Sequence, residues 1–181
     1  MRSVPSIGET HETRRAKTIA DFLIATFEYE LPATHAVIAA VPTDGFAYRP
    51  DGSSKTALGL ARHIALEDEW LLAAVVDGAF GPGKDESDAC GLMTPAEAIA
   101  HHGKTVAAQL ARIRAMSGED LLRTVDMFGA FQGPALQFLS LALRHSVHHR
   151  GQLSAYLRAA GSKVPSIYGP SADTAMASAA T

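Results

Sequence analysis

Apolar residues recur at three- and four-residue steps through four long stretches of the chain, the spacing that gathers them on one face of an α-helix. The first stretch runs from about Glu12 to Ala40, with Ile19, Phe22, Leu23, Phe27, Leu31, His35, Val37 and Ile38 on its expected inner face. Pro32 falls inside it, and a proline there removes one backbone hydrogen bond, so a kink or break is expected. The following "VPTDGFAYRPDGSSK" is dense in Pro, Gly, Asp and Ser and reads as a loop. A second helix is expected from about Thr56 to Val76, on Leu58, Leu60, Ala61, Ile64, Ala65, Leu71, Leu72 and Val75. The loop "GAFGPGKDESDACGLM" leads to a third helix with a clear start: Thr94 as N-cap, Pro95 in the first turn and Glu97 completing a capping box. It should run to about Met116, with Gly118 just beyond.

"SGEDLLRTVDMFGAFQG" is ambiguous between a helical turn in "GEDLLRTV" and a short extended piece in "TVDMFG". A fourth long helix is expected from about Pro134 to Ala160, stopped by Gly161, with "SKVPSIYGPSAD" as an ordered tail. Four amphipathic helices with long connections predict an all-α four-helix bundle, an architecture that builds metal and cofactor sites from facing helices. Residues 12–173 are expected to form one domain, with residues 1–11 and 174–181 as flexible ends.

Composition narrows the setting. The chain has 181 residues, 47% of them hydrophobic, enough for one sizeable core. Its formal net charge is −3 and its longest basic block is Arg14-Arg15, which argues against a nucleic-acid partner. Cys90 is the single cysteine, so no internal disulfide is expected; it reads as an unremarkable loop thiol in a reducing compartment. The first residues lack the apolar core of a signal peptide, and no run of 18 or more apolar residues is present. A cytoplasmic protein without a membrane partner is the expectation.

The chemistry sits in "LRHSVHHRGQL", which carries three of the chain's eight histidines within five positions. On a helix, His145 and His149 lie one turn apart, with Gln152 and Tyr156 continuing their stripe and Phe138, Leu141 and Ala142 preceding it. Two imidazoles therefore interrupt a core-facing stripe, and buried imidazoles need partners. Either other groups of the fold satisfy them, or they share one ion, since helical geometry brings ring nitrogens at i and i+4 to one point. His63 is the best third ligand, because it too interrupts an apolar pattern, in "LGLARHIALEDEWLL". Three neutral histidines leave coordination positions open, as in catalytic metal sites. Glu67 shares the face of His63 and is a candidate general base, or a solvated or ion-paired carboxylate. Trp70 reads as core. His101 and His102, being adjacent, cannot share a face and read as exposed; His35 reads as satisfied in the core or exposed.

"RHSVHHRGQLSAYLRAAG" followed by "VPSIYGPSAD" resembles the closing helix and tail of the DinB-like (damage-inducible) superfamily. The family's His-x-x-His-His-Arg-Gly-Gln pattern falls on His145, His148, His149, Arg150, Gly151 and Gln152. The context of His63, the opening "DFLIATFEYE" and "FAYRPDGSSKTALGLARH" are also similar, so the resemblance covers about residues 15–173. It implies a four-helix bundle whose His63, His145 and His149 hold a divalent metal: zinc or nickel foremost, iron or manganese next. It implies that His148 is a neighbour rather than a ligand, that Gly151 lets another backbone approach, and that Gln152 is a supporting donor. A homodimer is a further expectation. So is activity as a metal-dependent transferase or hydrolase of small molecules, using a low-molecular-weight thiol such as bacillithiol or mycothiol. The alternative is a stress protein that binds a metal or small ligand without turnover. Tyr168 and Asp173 would close over the site mouth or a dimer contact.

Overall fold

The computed structural model describes residues 10–174, so most of both expected flexible ends lies outside the described residues. The elements in order are α1 (His11–Ala39), α2 (Ala57–Asp77), α3 (Pro95–Ala115), the short α4 (Gly118–Leu122), a hairpin of β1 (Thr124–Met127) and β2 (Phe131–Pro134), and α5 (Ala135–Ala159). The four long helices close a ring in which each packs against two others: α2 against α3 and α5, α1 against α3 and α5. Among the described residues no helix is long and apolar enough to cross a membrane.

Local chemistry sets the helix starts. The hydroxyls of Thr10, Thr56 and Thr94 accept from the backbone N–H three residues on, opening α1, α2 and α3. At α3 the Glu97 carboxylate returns to the Thr94 hydroxyl and to the Met93 N–H, one residue earlier than a standard capping box. The ambiguous stretch forms both of its alternatives: Ser117 and Asp120 make a capping box for α4, and Thr124–Met127 is extended. Its partner strand β2, unforeseen, pairs antiparallel from Met127↔Phe131 to Thr124↔Pro134. The turn between them holds Phe128 and Gly129 in the left-handed region, without steric penalty only for the glycine.

Of the kink or break expected at Pro32, the break does not occur, and the expected inner face of α1 is only partly right. Pro32 neither breaks nor ends it, because Thr34, Val37 and Ile38 beyond the proline are buried in the bundle and hold the continuing turns. Its inner face runs through Ala16, Ala20, Ile24, Phe27, Glu30 and Thr34, whereas Ile19 is 40% and Phe22 68% exposed. Ala16 and Ala20, 2% and 0% exposed, take the inward positions instead.

The core is divided. One apolar cluster gathers Ile24, Phe27, Leu72, Leu110, Ile113, Phe138 and Leu139. A second gathers Val37, Ile38, Ile64, Ala98, Leu153 and Leu157. Along each long helix, buried polar residues fall between the two sets: Glu30 and Thr34 on α1, Asp68 on α2, His102 on α3, Ser146 and Arg150 on α5. This polar layer positions the site.

Candidate metal centre

His63 projects from α2 toward His145 and His149 of the adjoining α5. His63 Nε2 lies 3.2 Å from His149 Nε2 and 3.3 Å from His145 Nε2. The three donor atoms all fall within 4.8 Å of one another. The three residues expected from the sequence to act together are therefore brought together.

The far side of each ring is held. His145 Nδ1 is 2.8 Å from Asp68 Oδ1, His63 Nδ1 is 2.6 Å from Glu86 Oε1, and His149 Nδ1 is 2.6 Å from Gln152 Oε1. Carboxylates and an amide oxygen accept, so each Nδ1 carries a hydrogen, and in the neutral ring Nε2 is left as a lone pair. Gln152 thus serves as an acceptor, not as the expected donor. Three lone pairs facing one another repel unless a cation or a shared proton lies between them. Histidines that ligate metals have this same arrangement, with the second nitrogen donating to a carboxylate or carbonyl oxygen. Burial holds the His149 ring down at about pKa 4 against the opposing bond from Gln152, so it is neutral near pH 7 and free to ligate.

Carboxylates surround the trio. Asp68 is fully buried; burial alone would raise its pKa, but bonds from His102 and His145 outweigh burial and hold the carboxyl below its ordinary range. Glu86 is likewise held low against burial by His63 and by Lys55, which also pairs with it. Glu67 shares the face of His63 as expected, and its carboxyl oxygen lies within 4.8 Å of donor atoms of His63 and Glu86. Burial raises its pKa above the ordinary range.

Asp68 and Glu86 were not identified from the sequence as parts of the site. Asp68 had a signal: Ile64, Ala65, Leu71 and Leu72, its neighbours at helical spacing, are all buried and apolar, so a carboxylate among them needs buried donors. Glu86 had none, since its loop has no periodicity. His102, expected at the surface, is fully buried between Asp68 and His35, whereas His101 turns outward to Glu69. His148 is exposed and stacks edge-on against His149. Gly151 is exposed, and among the described residues of the chain a side chain added there would meet nothing, so none of them makes the close backbone approach expected of it.

Arg150 has a different role from its histidine neighbours. Only 2% exposed, it reaches Glu30 Oε2 at 2.6 Å and the Tyr168 hydroxyl at 2.6 Å, and that hydroxyl donates to Glu30. Tyr168 therefore pins the tail to α1 and α5. Asp173 pins it again, accepting from Arg158 and from the Val164 N–H. Cavities of about 410 and 350 Å³ lie between α1 and the tail and beside the start of α3; neither is lined by a residue of the trio.

The model of the DinB family matches residues 19–178. The chain is 26% identical over 143 residues to YjoA, an uncharacterized protein of Bacillus subtilis, covering 77% of this chain and 89% of that one. Its structure is similar to the crystal structure of that DinB-like protein, with a TM-score of 0.61 at 20% identity over 86% of this chain and 99% of the other. It is also similar to a DinB-like protein from Bacillus cereus, with a TM-score of 0.67 at 19% identity over 82% and 97%.

Proposed function

The chain belongs to the DinB family, and from that premise we propose that His63, His145 and His149 hold one divalent cation in a site that transforms small molecules. Zinc or nickel is the first choice of ion, iron or manganese the next. One observation carries the reading: three Nε2 lone pairs converge while every Nδ1 is committed to an acceptor. A divalent cation there supplies Lewis acidity that activates water or a low-molecular-weight thiol as a nucleophile near neutral pH. Glu67 takes up the proton that the nucleophile loses, and the burial that raises its pKa brings its basicity nearer the working pH. Asp68, Glu86 and Gln152 hold the three rings in the ligating tautomer. The protein on this reading is a metal-dependent transferase or hydrolase, with a thiol as co-substrate in the transferase case.

The test offers small electrophiles, with and without thiols, and simple esters to zinc- or nickel-loaded protein. Turnover should stop on chelation and fall by about 10²–10⁴-fold in Glu67→Gln, the range for loss of a general base. Turnover indifferent to both contradicts the assignment. The second reading is a protein that binds an ion or small ligand without turnover, and it predicts metal uptake with none of the offered substrates converted. A homodimer belongs to the proposal as well. Ile19, Phe22 and Tyr29 form an exposed apolar strip along α1, and sedimentation of native protein beside Phe22→Glu would show whether it joins two copies.

A further inference from the structure

A chain of hydrogen bonds leaves the candidate metal centre and crosses the whole bundle. From His145 on α5, Nδ1 donates to Asp68 Oδ1 on α2 at 2.8 Å. The other oxygen, Oδ2, lies 3.0 Å from His102 Nε2 on α3, and His102 Nδ1 lies 3.0 Å from His35 Nε2 on α1. One assignment of hydrogens satisfies every link with neutral rings. Asp68 accepts twice, so His102 must carry its hydrogen on Nε2; its Nδ1 is then an acceptor, and His35 must donate. His102 and Asp68 are fully buried, so water cannot replace either partner. His35 meets His102 edge-to-face, with ring centroids 5.2 Å apart. It is seated against Gly103, where an added Cβ would stand 3.4 Å from its ring carbon Cε1.

We propose that His102 and His35 are positioning residues for the metal centre, the inner half of a relay that fixes the tautomer and orientation of His145. The inference rests on the metal reading above. Asp68 can align one oxygen with His145 only while the other is held, because a carboxylate free to rotate about its last torsion offers no fixed acceptor. Among the described residues His102 is the sole donor to Oδ2, and His35 is what turns the His102 ring to face it. The relay also explains why two histidines outside the ligand trio are linked in series to the buried Asp68. Each has two ring nitrogens, and a link that donates on one side and accepts on the other requires both.

The experiment compares native protein with His102→Phe, His102→Gln and His35→Phe. Zinc affinity is measured by competition with a chromophoric chelator, melting is followed in EDTA, and histidine tautomers are read from ¹⁵N NMR of the metal-free protein. His102→Phe should weaken zinc binding about 10–100-fold, as loss of a ligand's supporting partner does. It should also remove the pure Nδ1–H signature of His145. His102→Gln, which can still donate to Asp68 and accept from His35, should recover most of both. Native affinity in folded His102→Phe overturns the proposal, as does an equal loss in the Phe and Gln variants that tracks melting alone. If His102→Phe does not fold, His35→Phe decides: a weaker site and altered His145 signature support the relay, and native values for both overturn it. Should native protein take up no zinc, the metal reading fails by itself, and the metal-free NMR comparison still supports or overturns the relay.

Discussion

Arg150→Met removes one partner of a buried ion pair and leaves Glu30, 8% exposed, with the Tyr168 hydroxyl as its remaining side-chain donor. Arg150 also loses its bonds to the Glu30 carbonyl and the Thr34 hydroxyl, at 3.4 and 3.5 Å, which are too long to add much. Breaking a buried pair from one side costs about 3–5 kcal/mol, mostly for the charge left behind. For a domain of this size each kcal/mol moves the melting temperature by roughly 2–4 °C, so the variant should melt about 6–20 °C lower. The same reasoning makes a sharper claim. Removing both charges, in Glu30→Leu/Arg150→Met, should recover most of the loss, because two desolvated ions no longer need each other. Thermal and urea unfolding in EDTA keep metal binding out of the comparison. Metal uptake well below the melting temperature should match the native protein, since the Arg150 side chain points away from the trio and bonds to Glu30, Thr34 and Tyr168 instead. A single variant within about 1 kcal/mol of native, or a double variant no better than the single, would refute the reasoning.

Stability without metal should fall as pH falls from about 6.5 toward 4, because His35 and His149 are held at about 4 in the fold while the unfolded chain takes up protons near 6.5. Urea midpoints at intervals across that window check the sign, and His35→Gln should flatten the slope. Glu86→Ala should weaken zinc binding about 10–100-fold by freeing His63 Nδ1, and Glu86→Gln, which keeps an acceptor, should cost less; chelator competition measures both. Tyr168→Phe should cost about 1–3 kcal/mol in urea unfolding, since its hydroxyl bonds both charges of the buried pair.

What could be read in advance was what depends on near neighbours in the chain. Thr94 and Pro95 announce α3 because capping is decided within one turn, and His145 and His149 share a face because helical spacing requires it. His63 met them because α2 and α5 both turn polar groups inward where apolar ones were expected. Features set by packing between elements were hidden. Ile19 and Phe22 match the period of an inner face, yet α1 turns Ala16 and Ala20 inward. His102 was misplaced because adjacency settles only that His101 and His102 point apart, not which of them meets a buried carboxylate on another helix. The strand Phe131–Pro134 has no apolar alternation, and only its pairing with Thr124–Met127 makes it one. Arg150 lies in the histidine motif but serves the tail, through a tyrosine 18 residues on.

The central claim is that the crowded histidines hold an ion. It is tested most directly by elemental analysis of tag-free protein beside a His145→Ala/His149→Ala variant, both before and after incubation with zinc and nickel. The account predicts close to one divalent ion per chain in the native protein and none in the variant. Native protein that stays free of metal even after incubation, or a variant that retains as much as the native, would contradict it.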